Sequence, residues 1–187
     1  MAKITYDDKI SINENADIPA INKCQASDMN EIKQVVNEND DKIEALQPNI
    51  ITAIVGEYIT FSSTTTINDL SLVEHSKVGS AFTLENGKIT VGAGVNNVIL
   101  SGQIRIANRS SANGVYNIYI YKNDEIVTAG RTAIVGNGLT VGASVSSFVT
   151  EVAEGDVLKL AIWKPSDNSC EISSANNGSF LTVEKAS

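Results

Sequence analysis

The chain contains a single histidine, His75, within Leu72-Val73-Glu74-His75-Ser76, and a nucleophilic triad or a Cys–His pair could be assembled only around it. Ser76 is adjacent in sequence and badly placed to pair with that imidazole. The expected role of His75 is therefore a surface residue in a connecting loop. Carboxylate pairs occur at Asp7-Asp8, at Asp40-Asp41 and as Glu151 with Glu154. Glycosidic cleavage needs two carboxylates facing each other across a cleft in unequal environments, and nothing in these spacings supplies that. Asp40-Asp41 is expected on a solvated helix face. The Gly136-x-Gly138 turn runs into strand-forming residues, with no helix N-terminus to receive a phosphate. Cys24 and Cys170 stand in segments of different character, and neither has a second Cys or a His at metal-ligand spacing. The expectation is two free thiols, no metal, no cofactor and no enzymatic activity.

Binding is a better prospect than catalysis. Two polar clusters, Asn108-Arg109-Ser110-Ser111-Ala112-Asn113 and Lys164-Pro165-Ser166-Asp167-Asn168, read as loops, and the second follows Trp163. Amides and carboxylates beside an aromatic ring suit glycan contact, and loops on a rigid scaffold are where binding residues concentrate. Asn108, Arg109, Asn113, Asp167 and Asn168 are the candidate surface-binding residues. The 187 residues carry a formal charge of −8, which disfavours a phosphate-backbone or anionic-membrane partner, since both are held mainly through Lys and Arg. No apolar run approaches the roughly 18 residues needed to span a bilayer. The N-terminal Met-Ala-Lys-Ile-Thr-Tyr-Asp-Asp lacks the apolar core of a secretory signal, so synthesis and assembly in a cytoplasm are expected. With 42% hydrophobic residues, there is material for one packed domain and an appendage.

The elements that would position these residues are legible from periodicity. Met29, Ile32, Val36, Asn39, Ile43, Leu46 and Ile50 recur at alternating spacings of three and four, the mark of a coiled-coil seam. Ser27 or Asp28 is a natural N-cap, and Glu31 completes a capping box counted from Asp28. Pro48 ends the helix near Gln47, after roughly 28 Å at the standard rise. A single helix of this length is marginal in water and cannot bury its own stripe, so copies of the chain are expected to supply the partners, with packing on the chain's own sheet domain as the alternative. Asn39 in the seam would fix register and oligomer number at some cost in stability. Residues 1–26, with Ile4, Ile10, Ile12, Ile18 and Ile21 scattered among acids and amides, read as an extended arm that orders on another protein.

Beyond Glu57 the sequence turns to Val, Ile, Thr, Ser and Tyr punctuated by Gly and Asn turns, which indicates an antiparallel sandwich. Strands are expected near 57–62, 79–84, 88–91, 97–106, 115–121, 125–132, 139–151, 156–163, 169–173 and 179–184. In Tyr116 to Tyr121, Tyr116, Ile118 and Ile120 point one way while Tyr119 and Tyr121 point the other. Leu158, Leu160 and Ile162 likewise oppose Val157, Ala161 and Trp163. A sandwich has one core between its sheets. A homotypic head interface lined by Tyr119, Tyr121 and Trp163 is the economical use of the second face.

Three resemblances add to this reading. Val36-Asn37-Glu38-Asn39 resembles the Val-x-x-Asn repeat of trimeric stalks in bacterial autotransporter adhesins. Phe82-Thr83-Leu84-Glu85-Asn86-Gly87-Lys88-Ile89-Thr90-Val91, Val98 to Gly102, Tyr119 to Asp124, Val152 to Leu160 and Leu181 to Glu184 resemble the jelly-roll head shared by complement-type globular heads and the tumour necrosis factor superfamily. That likeness implies a homotrimer with aromatic residues near its axis. The stretches Lys3-Ile4-Thr5-Tyr6 through Asn22-Lys23 and Ala26 to Asn37 resemble the start of phage tail-fibre, baseplate-appendage or head-fibre proteins, which implies a location on the virion and host-surface contact. The expected architecture is mostly β with a short N-terminal α-helix, an antiparallel jelly-roll β-sandwich head on a trimeric coiled-coil stem. Its expected parts are an attachment arm at 1–26, a stem at 27–50, a connector with the first strands at 51–78 and a head at 79–187, with 57 as an alternative start. The expected function is a structural virion fibre or appendage that binds a capsid or tail protein through residues 1–26. A bacterial adhesive, glycan-binding trimeric module is the alternative.

Overall fold

Pro48 marks the change from helix to sheet. The structure is a computed structural model that describes residues 26–46, 48–61, 67–109, 113–135, 139–165, 168–174 and 178–186. Cys24, Asp167 and the expected arm, apart from Ala26, lie outside these residues. The chain divides into two compact units, Met1–Gln47 and Pro48–Ser187. In the first, helix α1 runs over Ala26–Leu46 and stops before Pro48. Ser27 and Asp28, expected as its N-cap, lie inside the first turn, where Asp28 favours the helix N-terminus by its charge. Ile50 is a correction to the stem: it opens strand β1, Ile50–Val55, instead of closing the seam. Its β-branched run Ile50-Ile51-Thr52-Ala53-Ile54-Val55 pairs on both sides, with each backbone group entering a ladder.

The second unit continues with β2 (Ile59–Phe61), β3 (Ile67–Asp69), β4 (Leu72–Val78), β5 (Phe82–Glu85) and β6 (Lys88–Val91). After these come β7 (Asn97–Asn108), β8 (Gly114–Lys122), β9 (Glu125–Ile134), β10 (Thr140–Glu151), β11 (Val157–Trp163), β12 (Cys170–Ile172) and β13 (Phe180–Lys185). Every strand expected from the sequence has its counterpart. Those not foreseen individually, β1, β3 and β4, fall at 50–78. There β1 and β4 pair into the first sheet and β3 pairs with β11 of the second. His75 is a second correction: it lies in β4, not in a loop, at the point where the β4–β1 register slips between Thr52 and Ala53.

A seven-stranded sheet carries β4-β1-β13 alongside β7, with β12 and β2 continuing that edge of β7 and β10 on its other edge. A six-stranded sheet runs β5-β6-β11-β8-β9, with β3 pairing the far end of β11. All pairs are antiparallel, and the hairpin turns follow local chemistry. Asn86 and Gly87, both at positive φ, form the two-residue β5–β6 loop that the strand twist favours. The core lies between the sheets: Ile51, Leu100, Ile104, Ile106, Leu181 and Val183 from the first meet Ile89, Tyr116, Ile118, Ile120, Leu158, Leu160 and Ile162 from the second. The alternation read from β8 and β11 is thus the alternation of the fold.

On one side the sandwich is nearly closed. Thr128 Oγ1 donates to Ser146 O at 3.0 Å, and a Cβ on Gly130 would stand 2.4 Å from Ser144 O. Neither backbone can give way without breaking a ladder. Gly130→Val should therefore destabilise the head by about 2 kcal/mol or more, measurable as a lowered urea midpoint for residues 48–187.

Candidate functional site

Helix α1 presents the apolar stripe read from the sequence to solvent. Met29, Ile32, Val36 and Ile43 are 38%, 54%, 46% and 46% exposed, and Asn39 is exposed beside them. Leu46 closes the helix. A Gln34 Nε2 to Glu38 Oε1 bond of 2.8 Å supports the polar side of α1. Asp41 is solvated as expected, whereas Asp40, expected on the same solvated face, is buried.

Tyr119, Tyr121 and Trp163 do share one face, the outer side of the six-stranded sheet. Register sets Tyr119 opposite Ala161, Tyr121 opposite Lys159 and Trp163 opposite Asn117. The two tyrosine rings meet edge to face at 6.0 Å, and the Lys159 ammonium sits 5.0 Å above the Tyr121 ring. Lys159 also pairs with Asp69 at 3.2 Å and Asp124 at 3.6 Å. Desolvation pulls its pKa down, but the hydrogen bond and charge of Asp69, with Asp124, outweigh it and the pKa is raised. Tyr121 is already buried within one chain. Ion pairs made within one chain thus lie on the aromatic face.

Two of the loop residues are corrections. Asn108 and Asn168, read as surface contacts, are 0% and 1% exposed, and Lys164, which opens the second cluster, is 0% exposed. Tyr116 explains them. Alternation turns its ring into the core, where a phenol needs partners. Tyr116 Oη donates to Asn108 Oδ1 at 3.1 Å and accepts from Asn168 Nδ2 at 3.4 Å. Lys164 Nζ donates to Asn168 O at 2.7 Å and Pro165 O at 3.3 Å. Burial raises the Tyr116 pKa and pushes the neighbouring Cys170 thiol up to about 11, so this thiol is protonated and inert at neutral pH. The described part of the 164–168 loop closes the core. Arg109 and Asn113 do lie at the surface, and Arg109 Nη2 pairs with Glu171 Oε2 at 2.6 Å.

A further polar knot joins two turns. Asp156 accepts from Asn123 Nδ2 and from Ala153 N, both at 2.9 Å, while Asn123 Oδ1 accepts from Val157 N at 2.9 Å. Those bonds, the Asn123 side chain first, depress the Asp156 pKa. A depressed carboxylate contributes stability above its unfolded pKa and loses it as pH falls through the folded value. Asp156→Asn should therefore shrink the head's loss of stability on acidification below about pH 4, read from thermal melts across that range.

Sequence analysis missed Glu57 and Tyr58. Tyr58 is 61% exposed and lines a cleft of about 400 Å³ with Gly56, Glu57, Ile59, Thr60, Ser71 and Val73. The only signal was an aromatic residue next to Gly56 at a strand start. Among the described residues no three His, Cys, Asp or Glu side chains cluster as metal ligands.

No family model matches the chain, and no curated protein matches it in sequence. Solved structures do match the head. Murine APRIL at pH 8.0 superposes with a TM-score of 0.57 at 10% identity, covering 74% of this chain and 99% of that one. Eiger TNF from S. frugiperda gives 0.54 at 11% identity, covering 75% and 92%. The head has a tumour-necrosis-factor-like jelly-roll fold. At such identity the likeness fixes the fold of the jelly roll and leaves its partners to be argued from its surface.

The outer face of the jelly roll's seven-stranded sheet differs from the aromatic face. Register aligns Val78, Ile50, Glu184, Ile99 and Val149 in one row and Ser76, Thr52, Thr182, Ser101 and Ser146 in the next. Thr52 Oγ1 and Thr182 Oγ1 are 3.0 Å apart. Thr52, Ile54, His75, Phe180 and Thr182 line a shallow depression of about 300 Å³. Apart from Glu184, these two rows carry no charge, and Val78, Ile99 and Val149 are exposed.

Proposed function

We propose that the chain is a homotrimeric structural appendage of a virion, in which α1 is a coiled-coil stem, the segment before it attaches to a capsid or tail protein, and the jelly roll is held outward for contact with a host surface or for capsid decoration. The observation that carries the assembly reading is the exposed seam Met29, Ile32, Val36 and Ile43, a stripe that three copies of α1 would bury against one another. The head adds a second contact. We place it on the outer face of the seven-stranded sheet, at the Ile50–Ile99–Val149 and hydroxyl rows, instead of the Tyr119, Tyr121 and Trp163 face expected from the sequence. Covering that aromatic face would desolvate Lys159, Asp69 and Asp124, whereas the two rows present one carboxylate.

Two measurements test this. Truncating both Tyr119 and Tyr121 to Ala should leave the trimer mass unchanged by light scattering; dissociation would return the interface to the aromatic face. Mass spectrometry of density-purified phage particles from a host carrying the gene should detect the chain alongside capsid proteins. Particles that contain the capsid proteins and lack this chain would overturn the virion reading.

A further inference from the structure

The cleft beside Tyr58 has the makings of a ligand site that the stem, the core and the sheet faces do not use. It lies where the chain leaves β1 at Gly56 and crosses to β2, walled by Ser71 and Val73 at the start of β4. Gly56 sets its shape: a Cβ there would approach Val73 Cγ2 to 2.9 Å, so the crossing is pressed against β4. At about 400 Å³ the space falls at the lower end of the range of small-molecule clefts, about 300–1,000 Å³.

Its side chains define the chemistry. Tyr58 offers a largely exposed ring face, the surface on which the C–H groups of a sugar ring pack. Glu57, Thr60 and Ser71 bring a carboxylate and two hydroxyls to the same cleft. Thr60 pairs directly with Glu171 across the β2–β12 ladder, and Glu171 holds Arg109 at 2.6 Å. Register therefore puts that ion pair beside Thr60; Glu171 first, through its hydrogen bond and charge, raises the Arg109 pKa, and Tyr58 is close enough to add to it. A carboxylate and a guanidinium fixed side by side give an acceptor and donors for adjacent hydroxyls. Glu57 and Glu171 offset the positive charge of Arg109, and the chain as a whole carries −8. An anionic sugar, a teichoic phosphate or a nucleotide would be repelled.

We propose that this cleft binds a neutral saccharide, with Tyr58 as the stacking platform and Glu57, Thr60, Ser71 and the Arg109–Glu171 pair as its polar contacts. This rests on the reading of the head as a surface-contacting module and gives that contact a ligand class. Sequence reasoning placed glycan contact around Arg109, and strand register sets its ion-pair partner Glu171 beside Thr60, which lines the cleft.

The test uses the full chain with chitotriose, mannotriose and maltotriose as probes, read by saturation-transfer NMR and titration calorimetry up to concentrations on the order of 10 mM, the range of weak single-site affinity. At least one saccharide should bind. Tyr58→Ala should weaken it about tenfold or more, Glu57→Gln should weaken it, and Tyr58→Phe should retain it. Tyr58 is exposed, so its replacement should leave the melting temperature unchanged. Binding of none of the three, or binding indifferent to Tyr58→Ala, overturns the site. The mass of the same samples is measured alongside: a trimer that binds no saccharide removes the cleft proposal alone, and a monomer that binds through Tyr58 removes the assembly reading alone.

Discussion

Replacing Ile32 and Ile43 together by Lys should convert a trimer into monomers at low micromolar concentration while leaving the β signal of the head intact. Both side chains stand about half exposed on one chain, at positions that a three-stranded seam would bury. Full burial of an aliphatic side chain is worth about 1.5–3 kcal/mol. Two positions repeated in three protomers therefore amount to on the order of 10 kcal/mol per trimer, before the cost of placing ammonium groups in the seam. Exchanging Gln34 and Glu38 for Ala, on the polar side of the same helix, should leave the mass unchanged, since an exposed pair of this kind contributes only about 0.2–0.5 kcal/mol. Sedimentation velocity distinguishes the outcomes. A trimer that survives both lysines would show that α1 is not the assembly element.

Tyr116→Ala should be the most destabilising single change in the head that leaves its surface untouched. The ring is fully buried, and removing a core aromatic costs about 3–5 kcal/mol. The change also strands the side chain of Asn168, which is only 1% exposed and donates to the lost hydroxyl. A buried polar group left without its partner costs about 1–3 kcal/mol. Tyr116→Phe isolates that second contribution, because the ring remains and only the hydroxyl goes. Urea denaturation of residues 48–187 should rank the native sequence above Phe and Phe above Ala. Equal stability of the Phe variant and the native sequence would mean that the Asn108–Tyr116–Asn168 bonds contribute nothing net.

The same tyrosine shows what could be read beforehand and what could not. Alternation along Tyr116 to Tyr121 carries the facing of each residue, because successive side chains of a strand must point to opposite sides. An inward phenol requires buried partners, and two Asn-containing segments lie next to the ends of strands β8 and β11. Asn108 and Asn168 read as surface-binding loop residues because amides near turns are usually solvated. Their burial follows from a need located elsewhere in the chain.

Ile50 illustrates a different limit. It continues the three-four spacing of the seam and also starts a β-branched run, so periodicity supports both assignments. Pro48 decides for the sheet, since the helix cannot cross it. Strand β4 was obscure for a third reason. Its Glu74-His75-Ser76-Lys77 is the charged sequence expected of an edge strand that must not recruit another sheet, and such a strand lacks the clean alternation that makes β8 and β11 legible. The Tyr58 cleft had no signal in periodicity, because its walls come from the β1–β2 crossing and from β4, which meet only in the folded sheet.

Assembly through copies of this chain is read out by sedimentation equilibrium of the unmodified 187-residue chain. At low micromolar concentration one species of three times the chain mass is expected, with residues 48–187 alone associating more weakly because they have lost the helix. A single species of one chain mass across that concentration range would contradict it.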